Sequence, residues 1–128
     1  RYLLDTNALI AFFRGNGQIS RLIKQATWVG VSVISVIEFL SYAKLTTQNK
    51  QVFYKFIDEI DCLNVEVSNQ PLIQECIRLR QLHGLKLPDA LIAALAITSG
   101  AELVTADAIF NRLSPELRIQ NFQPGGLP

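Results

Sequence analysis

Residues 87–110 read LPDALIAALAITSGAELVTADAIF. Pro88 suits the first turn of a helix, where its missing N–H costs nothing, and Gly100 is the kind of residue that ends one. Between them Ala90 to Ile97 is apolar nearly all round, so this helix is expected to be central and buried. Glu102 to Thr105 then reads as a strand, and Asp107 lies two residues past it. A helix running directly into a strand is the unit from which α/β proteins with a mainly parallel sheet are built.

Working outward, the alternation repeats. Tyr2 to Leu4 is a short apolar run that ends at Asp5 and reads as the first strand. Asn7 to Phe13 and Ile19 to Ala26 read as helices separated by the breaker Gly15-Asn16-Gly17. Trp28 to Val33, rich in aromatic and β-branched residues, predicts strand two. Helices are expected over Val36 to Leu45 and Gln51 to Ile60, interrupted by Thr46-Thr47-Gln48-Asn49, and a strand over Leu63 to Val67. Pro71 opens a helix that Gly84 ends, with Leu72, Ile73, Cys76, Leu79 and Leu82 at helical spacing. A last strand is expected at Leu117 to Ile119. Residues 1–122 therefore form one domain, followed by an irregular tail over 123–128 that is rich in Pro and Gly.

Composition bounds the function. The chain has 128 residues, 49% of them hydrophobic, enough for a real core. No apolar stretch approaches the roughly 20 residues of a membrane helix, and no secretory leader opens the sequence, so a cytoplasmic protein is expected. The absence of Met suggests a removed initiator or a missing short leader. Cys62 and Cys76 form no zinc-type spacing and read as reduced packing residues.

Four acids sit against apolar runs: Asp5 in YLLDTN, Glu38 in VISVIEFL, Asp89 in KLPDALIAALAI and Asp107 in LVTADAIF. An ionised carboxylate is costly in such places without a compensating charge. Gathered into one pocket, the four would raise each other's pKa values, and a divalent cation would cancel the repulsion. Asp5 and Asp107 both follow strands, and in doubly wound sheets ligands collect outside the carboxyl ends of strands where strand order reverses. With the four set aside, 12 basic residues face the seven remaining acidic ones, which leaves +5 around an acidic hole and suits a polyanionic substrate. Each acid also has an ordinary structural reading. Ser35-x-x-Glu38 has the form of a capping box, Asp89 would complement a helix dipole, and Asp5 and Asp107 would cap the helices after them.

In order, spacing and surroundings, YLLDTNALI, SVISVIEF, LPDALIAALA and LVTADAIF together resemble the PIN-domain family, and within it the VapC-type toxin ribonucleases of bacterial toxin–antitoxin pairs. The resemblance spans nearly the whole chain. It implies a three-layer α/β fold, with a central, mainly parallel sheet of about four to five strands flanked by helices. It also implies that Asp5, Glu38, Asp89 and Asp107 form the catalytic, metal-binding site for Mg²⁺ or Mn²⁺, with Thr6, Asn7 and Thr105 as supporting polar residues. Relatives often carry another acid where this chain has Ile109.

The activity implied is hydrolysis of RNA to 5′-phosphate and 3′-hydroxyl ends, by a homodimer silenced by a small antitoxin. Arg14, Arg78, Arg80, Lys86 and Arg112 are candidates for holding RNA phosphates. Phe12, Phe13, Ile37 and Leu40 are candidates either for the core or for a groove that takes the antitoxin. His83 reads as a helix-terminal residue rather than a base. The alternatives are an inactive PIN-like module that binds RNA or protein, a receiver-like phosphoacceptor domain and a phosphatase with Asp5 as nucleophile. The last two want a later lysine that the sequence does not offer.

Overall fold

The computed structural model describes residues 1–42 and 44–124. Five strands form one sheet: β1 (Tyr2–Leu4), β2 (Val29–Ser32), β3 (Asp61–Leu63), β4 (Glu102–Thr105) and β5 (Ile119–Asn121). Their order is β3-β2-β1-β4-β5, and every pairing is parallel. Six α-helices connect them: α1 (Thr6–Phe13), α2 (Gly17–Gln25), α3 (Val33–Leu40), α4 (Thr47–Asp58), α5 (Gln70–His83) and α6 (Leu87–Ser99). A 3₁₀ helix spans Ala108–Leu113. None of the described helices is long and apolar enough to cross a membrane.

The three layers follow from the pleat, which sends successive side chains to opposite faces. Leu3 and Leu103 point to the side covered by α5 and α6, where they meet Leu72, Leu79, Ala93 and Leu95. Leu4 and Val104, one residue on, point to the side covered by α1 to α4, with Leu9, Ile19, Phe39 and Phe53. All four central-strand residues are wholly buried. α6 buries Ala90 and the whole run Ile92 to Ala96, and Gly100 ends it in the left-handed conformation with φ 67°. Its small residues let α5 lie close against it.

α4 is held onto α1 and α3 by aromatic rings. Phe39 and Phe53 stack with centroids 4.2 Å apart and planes 12° from parallel. Phe13 packs on Phe39, Phe53 and Phe56, and Phe12 on Phe13 and Phe56. At the amino end of the sheet Trp28 folds back over Gly30, where an added Cβ would come within 2.3 Å of the indole. The indole N–H donates to Asp61.

Several boundaries differ from the sequence expectation. The third helix begins at Val33 rather than Val36, because Ser32, the last residue of β2, accepts a hydrogen bond from Ser35 N at 3.0 Å and caps it. It stops at Leu40, and of the expected extension to Leu45, Ala43 lies outside the described residues. Thr46 and Asn49, read as an interruption, form a reciprocal capping box that starts α4 at Thr47. β3 lies at 61–63 rather than 63–67, fixed by pairing with Gly30 to Ser32, and Val67 is 80% exposed. β5 lies two residues later than expected, paired with Leu103 to Thr105. Cys76 is buried, but Cys62 is exposed and is not a packing residue. In the tail, Gln123 and Pro124 belong to no helix or strand, and residues 125–128 lie outside the described part.

Phe53→Ala is expected to cost about 3–5 kcal/mol in a urea titration, as for other large aromatic truncations in a closed core. A loss below about 1 kcal/mol would show that the ring cluster does not anchor α4.

Candidate active site

Strand order reverses between β1 and β4, and the crevice at their carboxyl ends is where the predicted residues meet. Asp5 follows β1 directly, and its backbone N–H donates to Val104 O at 3.0 Å, locking it beside β4. Its side chain is only 6% exposed. Oδ1 accepts from Thr6 N at 2.8 Å, as the N-cap of α1. Oδ2 accepts from Thr105 Oγ1 at 2.8 Å and from Asn7 Nδ2 at 3.2 Å. Thr105 Oγ1 in turn accepts from Asp107 N at 3.0 Å, while Asn7 Oδ1 accepts from Ala106 N at 3.1 Å. Asp5 is thus held by one backbone N–H and two side-chain donors, from the start of α1 and the end of β4, and Thr105 and Asn7 also hold the segment that leads to Asp107.

Glu38 arrives from α3. It does not lie in a first turn and forms no capping box with Ser35; it stands near the end of the helix, where Thr6 Oγ1 donates to its Oε1 at 2.7 Å. Thr6 Oγ1 is also 3.1 Å from Ser35 Oγ, which is 3.2 Å from Ser32 Oγ. A hydroxyl has one proton. With the Thr6 proton given to the carboxylate, a consistent relay runs from Ser32 through Ser35 and Thr6 to Glu38. Ser32 and Ser35 are buried, and the sequence reading missed this role for them. Two serines three residues apart at a strand end were the available signal, but they offer two equivalent caps. Asp89 sits in the first turn of α6, half-buried, and Asp107 Oδ1 caps the 3₁₀ helix by accepting from Ile109 N at 3.0 Å.

The four acids interact electrically. Burial is the main cause that raises the Asp5 pKa from 3.8 to about 6, against the lowering effect of Thr105 and Thr6, with Glu38 and Asp89 raising it further. Asp89 is raised by burial, then by Asp107 and Glu38, while Lys86 opposes the shift. Glu38 and Asp107 are exposed at the rim. Among the described residues, no three His, Cys, Asp or Glu side chains close tightly enough to hold an ion unaided. The donors are oxygen throughout, however, and Mg²⁺ characteristically takes one or two carboxylates and keeps several waters. Asp5, Glu38, Asp89 and Asp107 are the groups that would hold such an ion.

The basic candidates divide. Lys86, at the N-cap position of α6, faces Asp89. Arg14 Nη2 donates to Tyr42 Oη at 2.9 Å, beyond the far end of α1. Arg78 is taken up by Glu75 at 2.6 Å and by Glu116. Arg112 Nη1 donates to His83 O at 3.2 Å, and Arg80 is exposed on α5. His83 is the last residue of α5, as expected, with Nε2 3.7 Å from Glu116. An apolar groove of about 320 Å³ does lie between α1, α3 and α4, but Ile10, Phe13, Phe39, Leu45 and Val52 line it. Of the predicted groove residues Phe13 alone belongs to it; Phe12 and Leu40 are part of the core packing and Ile37 points outward, 58% exposed.

A PIN domain family model matches residues 2–114. The chain belongs to the PIN-domain family. Among solved structures, this PIN domain is similar to a toxin–antitoxin complex from Klebsiella pneumoniae, with 26% identity, TM-score 0.77, and 99% of this chain and 100% of that one covered. It shares its fold with VapBC2 of Rickettsia felis bound to a promoter DNA fragment (21% identity, TM-score 0.73, coverage 95% and 98%). It likewise shares the fold of VapBC-5 of Mycobacterium tuberculosis (20% identity, TM-score 0.67, coverage 94% and 97%). A search of curated proteins finds no match.

The raised Asp5 pKa fixes a sign for stability. Between pH 3.8 and about 6 the folded chain holds a proton that the unfolded chain has released. Stability is therefore fully present below the lower value and is lost as pH rises through the upper one, by about 3 kcal/mol in all. Asp5→Asn removes this loss. In metal-free buffer, the variant is expected to match the parent near pH 4 and to exceed it by about that amount at pH 7 in urea titrations. A gap that does not change with pH would show that the Asp5 charge carries no such penalty.

Proposed function

We propose that this PIN domain is a divalent-metal-dependent endoribonuclease, the toxin of a toxin–antitoxin pair, that hydrolyses RNA phosphodiester bonds to leave 5′-phosphate and 3′-hydroxyl ends. The observation that carries this reading is the convergence of Asp5, Glu38, Asp89 and Asp107 at the β1/β4 crevice, with Asp5 buried and its pKa raised to about 6. Capping accounts for Asp5 and Asp107 one at a time, but not for the mutual influence of the acids across the crevice.

Mg²⁺ or Mn²⁺, when bound, supplies an activated water and stabilises charge on the attacking and departing oxygens. The chain's own part is positioning. Asp5 is fixed by Thr6 N and Thr105 Oγ1 and serves as the rigid anchor. Thr6 aims Glu38 across the crevice through its 2.7 Å bond. Asp107, with one oxygen committed to Ile109 N, turns toward the same space as Asp89, and the mutual charge of that pair favours any added cation. Lys86, beside Asp89, is placed to meet a substrate phosphate. His83 lies next to Glu116 and takes no part in this chemistry.

The likeness to a toxin–antitoxin complex supports an antitoxin as partner. We further propose that the antitoxin is small and sits in the apolar groove beside α1 and α3, and that the toxin is a homodimer acting in the cytoplasm.

Purified protein incubated with total RNA is expected to cut in Mg²⁺ or Mn²⁺ and not in EDTA. Asp89→Asn is expected to lower the rate at least about a hundredfold, the scale of losing one preorganised electrostatic group. Products ending in 2′,3′-cyclic phosphate, or no cutting by folded, antitoxin-free protein, would sink the proposal; the second outcome would favour a binding module.

A further inference from the structure

A recess of about 430 Å³ opens beside the acidic crevice, lined by Glu38, Ser41, Tyr42 and Lys44. It shares Glu38 with the acidic site, and Tyr42 lies four residues further on, just past the end of α3 at Leu40. Tyr42 is 47% exposed, so its ring is accessible from solvent. Its backbone N–H donates to Phe39 O at 3.1 Å, so the turn that carries it is anchored to the aromatic core. Arg14 bonds the phenol oxygen at 2.9 Å, with its guanidinium carbon 5.9 Å from the ring centre. The cation therefore steadies the ring through its hydroxyl, and about half of the residue stays exposed. Arg14 and Lys44 also line the adjoining groove, so two cations flank one available aromatic ring, with Glu38 in the same recess.

We propose that this recess is a nucleotide subsite for single-stranded RNA. Tyr42 stacks on the unpaired base next to the scissile phosphate, while Arg14 and Lys44 hold the phosphates that flank it. The assignment rests on the ribonuclease reading above and adds to it a requirement for an unpaired base. Charge favours RNA over a purely apolar occupant: a strand leaving the acidic crevice at Glu38 meets cations at once, and base–aromatic stacking tolerates any base identity. Lys86, beside Asp89, would offer the strand a further cation at the acidic site.

The test is fluorescence anisotropy with a labelled single-stranded RNA oligonucleotide on the Asp89→Asn chain in EDTA, where turnover is blocked and one repelling charge is gone. Adding Tyr42→Ala is expected to weaken binding about tenfold, the scale of one base–aromatic stack, and to leave the weaker binding of a matched RNA duplex unchanged. Tyr42→Trp is expected to keep or improve single-strand affinity. Arg14→Gln and Lys44→Gln should each reduce the slope of log affinity against log salt by about 0.7. The subsite is overturned if Tyr42→Ala binds as the parent does, if Tyr42→Trp loses as much as Tyr42→Ala, or if the parent binds no single strand at low salt. A recess that serves only a protein segment gives the first of these results. Binding is read without turnover, so failure of wild-type protein to cut RNA would remove the nuclease reading separately from this outcome.

Discussion

Burial of the Asp5 carboxylate at the carboxyl end of the central strand is the constraint on which the rest of the structure turns. A charge at 6% exposure has to be surrounded by donors, and every donor here also does something else. The Thr6 amide starts α1, the Thr105 hydroxyl ends β4 and receives Asp107 N, and Asn7 ties α1 to Ala106. These donors are neutral. They hold the carboxylate in place without cancelling its charge, and the charge is what a cation would pay to reach.

Thr6 links the two halves of the crevice. Its amide belongs to Asp5 and its hydroxyl to Glu38, so one residue couples the end of β1 to α3. Behind it, the buried hydroxyls of Ser35 and Ser32 carry the link back to the end of β2. Side chains from β2, α1 and α3 are thereby in register with a sheet whose own register is set by backbone pairing. Valine at position 6 would leave the Glu38 carboxylate without its partner while preserving shape, which separates orientation from packing.

Much of this was legible in the sequence because the signals were local. Asp5 and Asp107 follow short apolar runs whose identity as strands needs no tertiary knowledge, and the apolar α6 between Pro88 and Gly100 announces itself. The placement of Glu38 was not legible in the same way. Ser32 and Ser35 are both good caps, and choosing between them depends on where β2 stops pairing, a property of its neighbours. β3 was misplaced for a related reason: Val65 and Val67 have the better strand propensity, but Asp61 to Leu63 is the segment that reaches β2. Tyr42 was not singled out because the sequence reading carried the helix on to Leu45, whereas α3 ends at Leu40 and leaves that ring beyond it.

The chain's single tryptophan lies at the amino end of the sheet, folded over Gly30 and bonded to Asp61, with Arg1 4.4 Å from its ring centre. The acids lie at the opposite end of the same strands. Indole emission is therefore an internal gauge of whether the sheet is intact, and its distance from the crevice insulates that signal from whatever occupies the crevice. Gly30 is the condition for this: an added Cβ there would come within 2.3 Å of the indole and push the fluorophore off its seat.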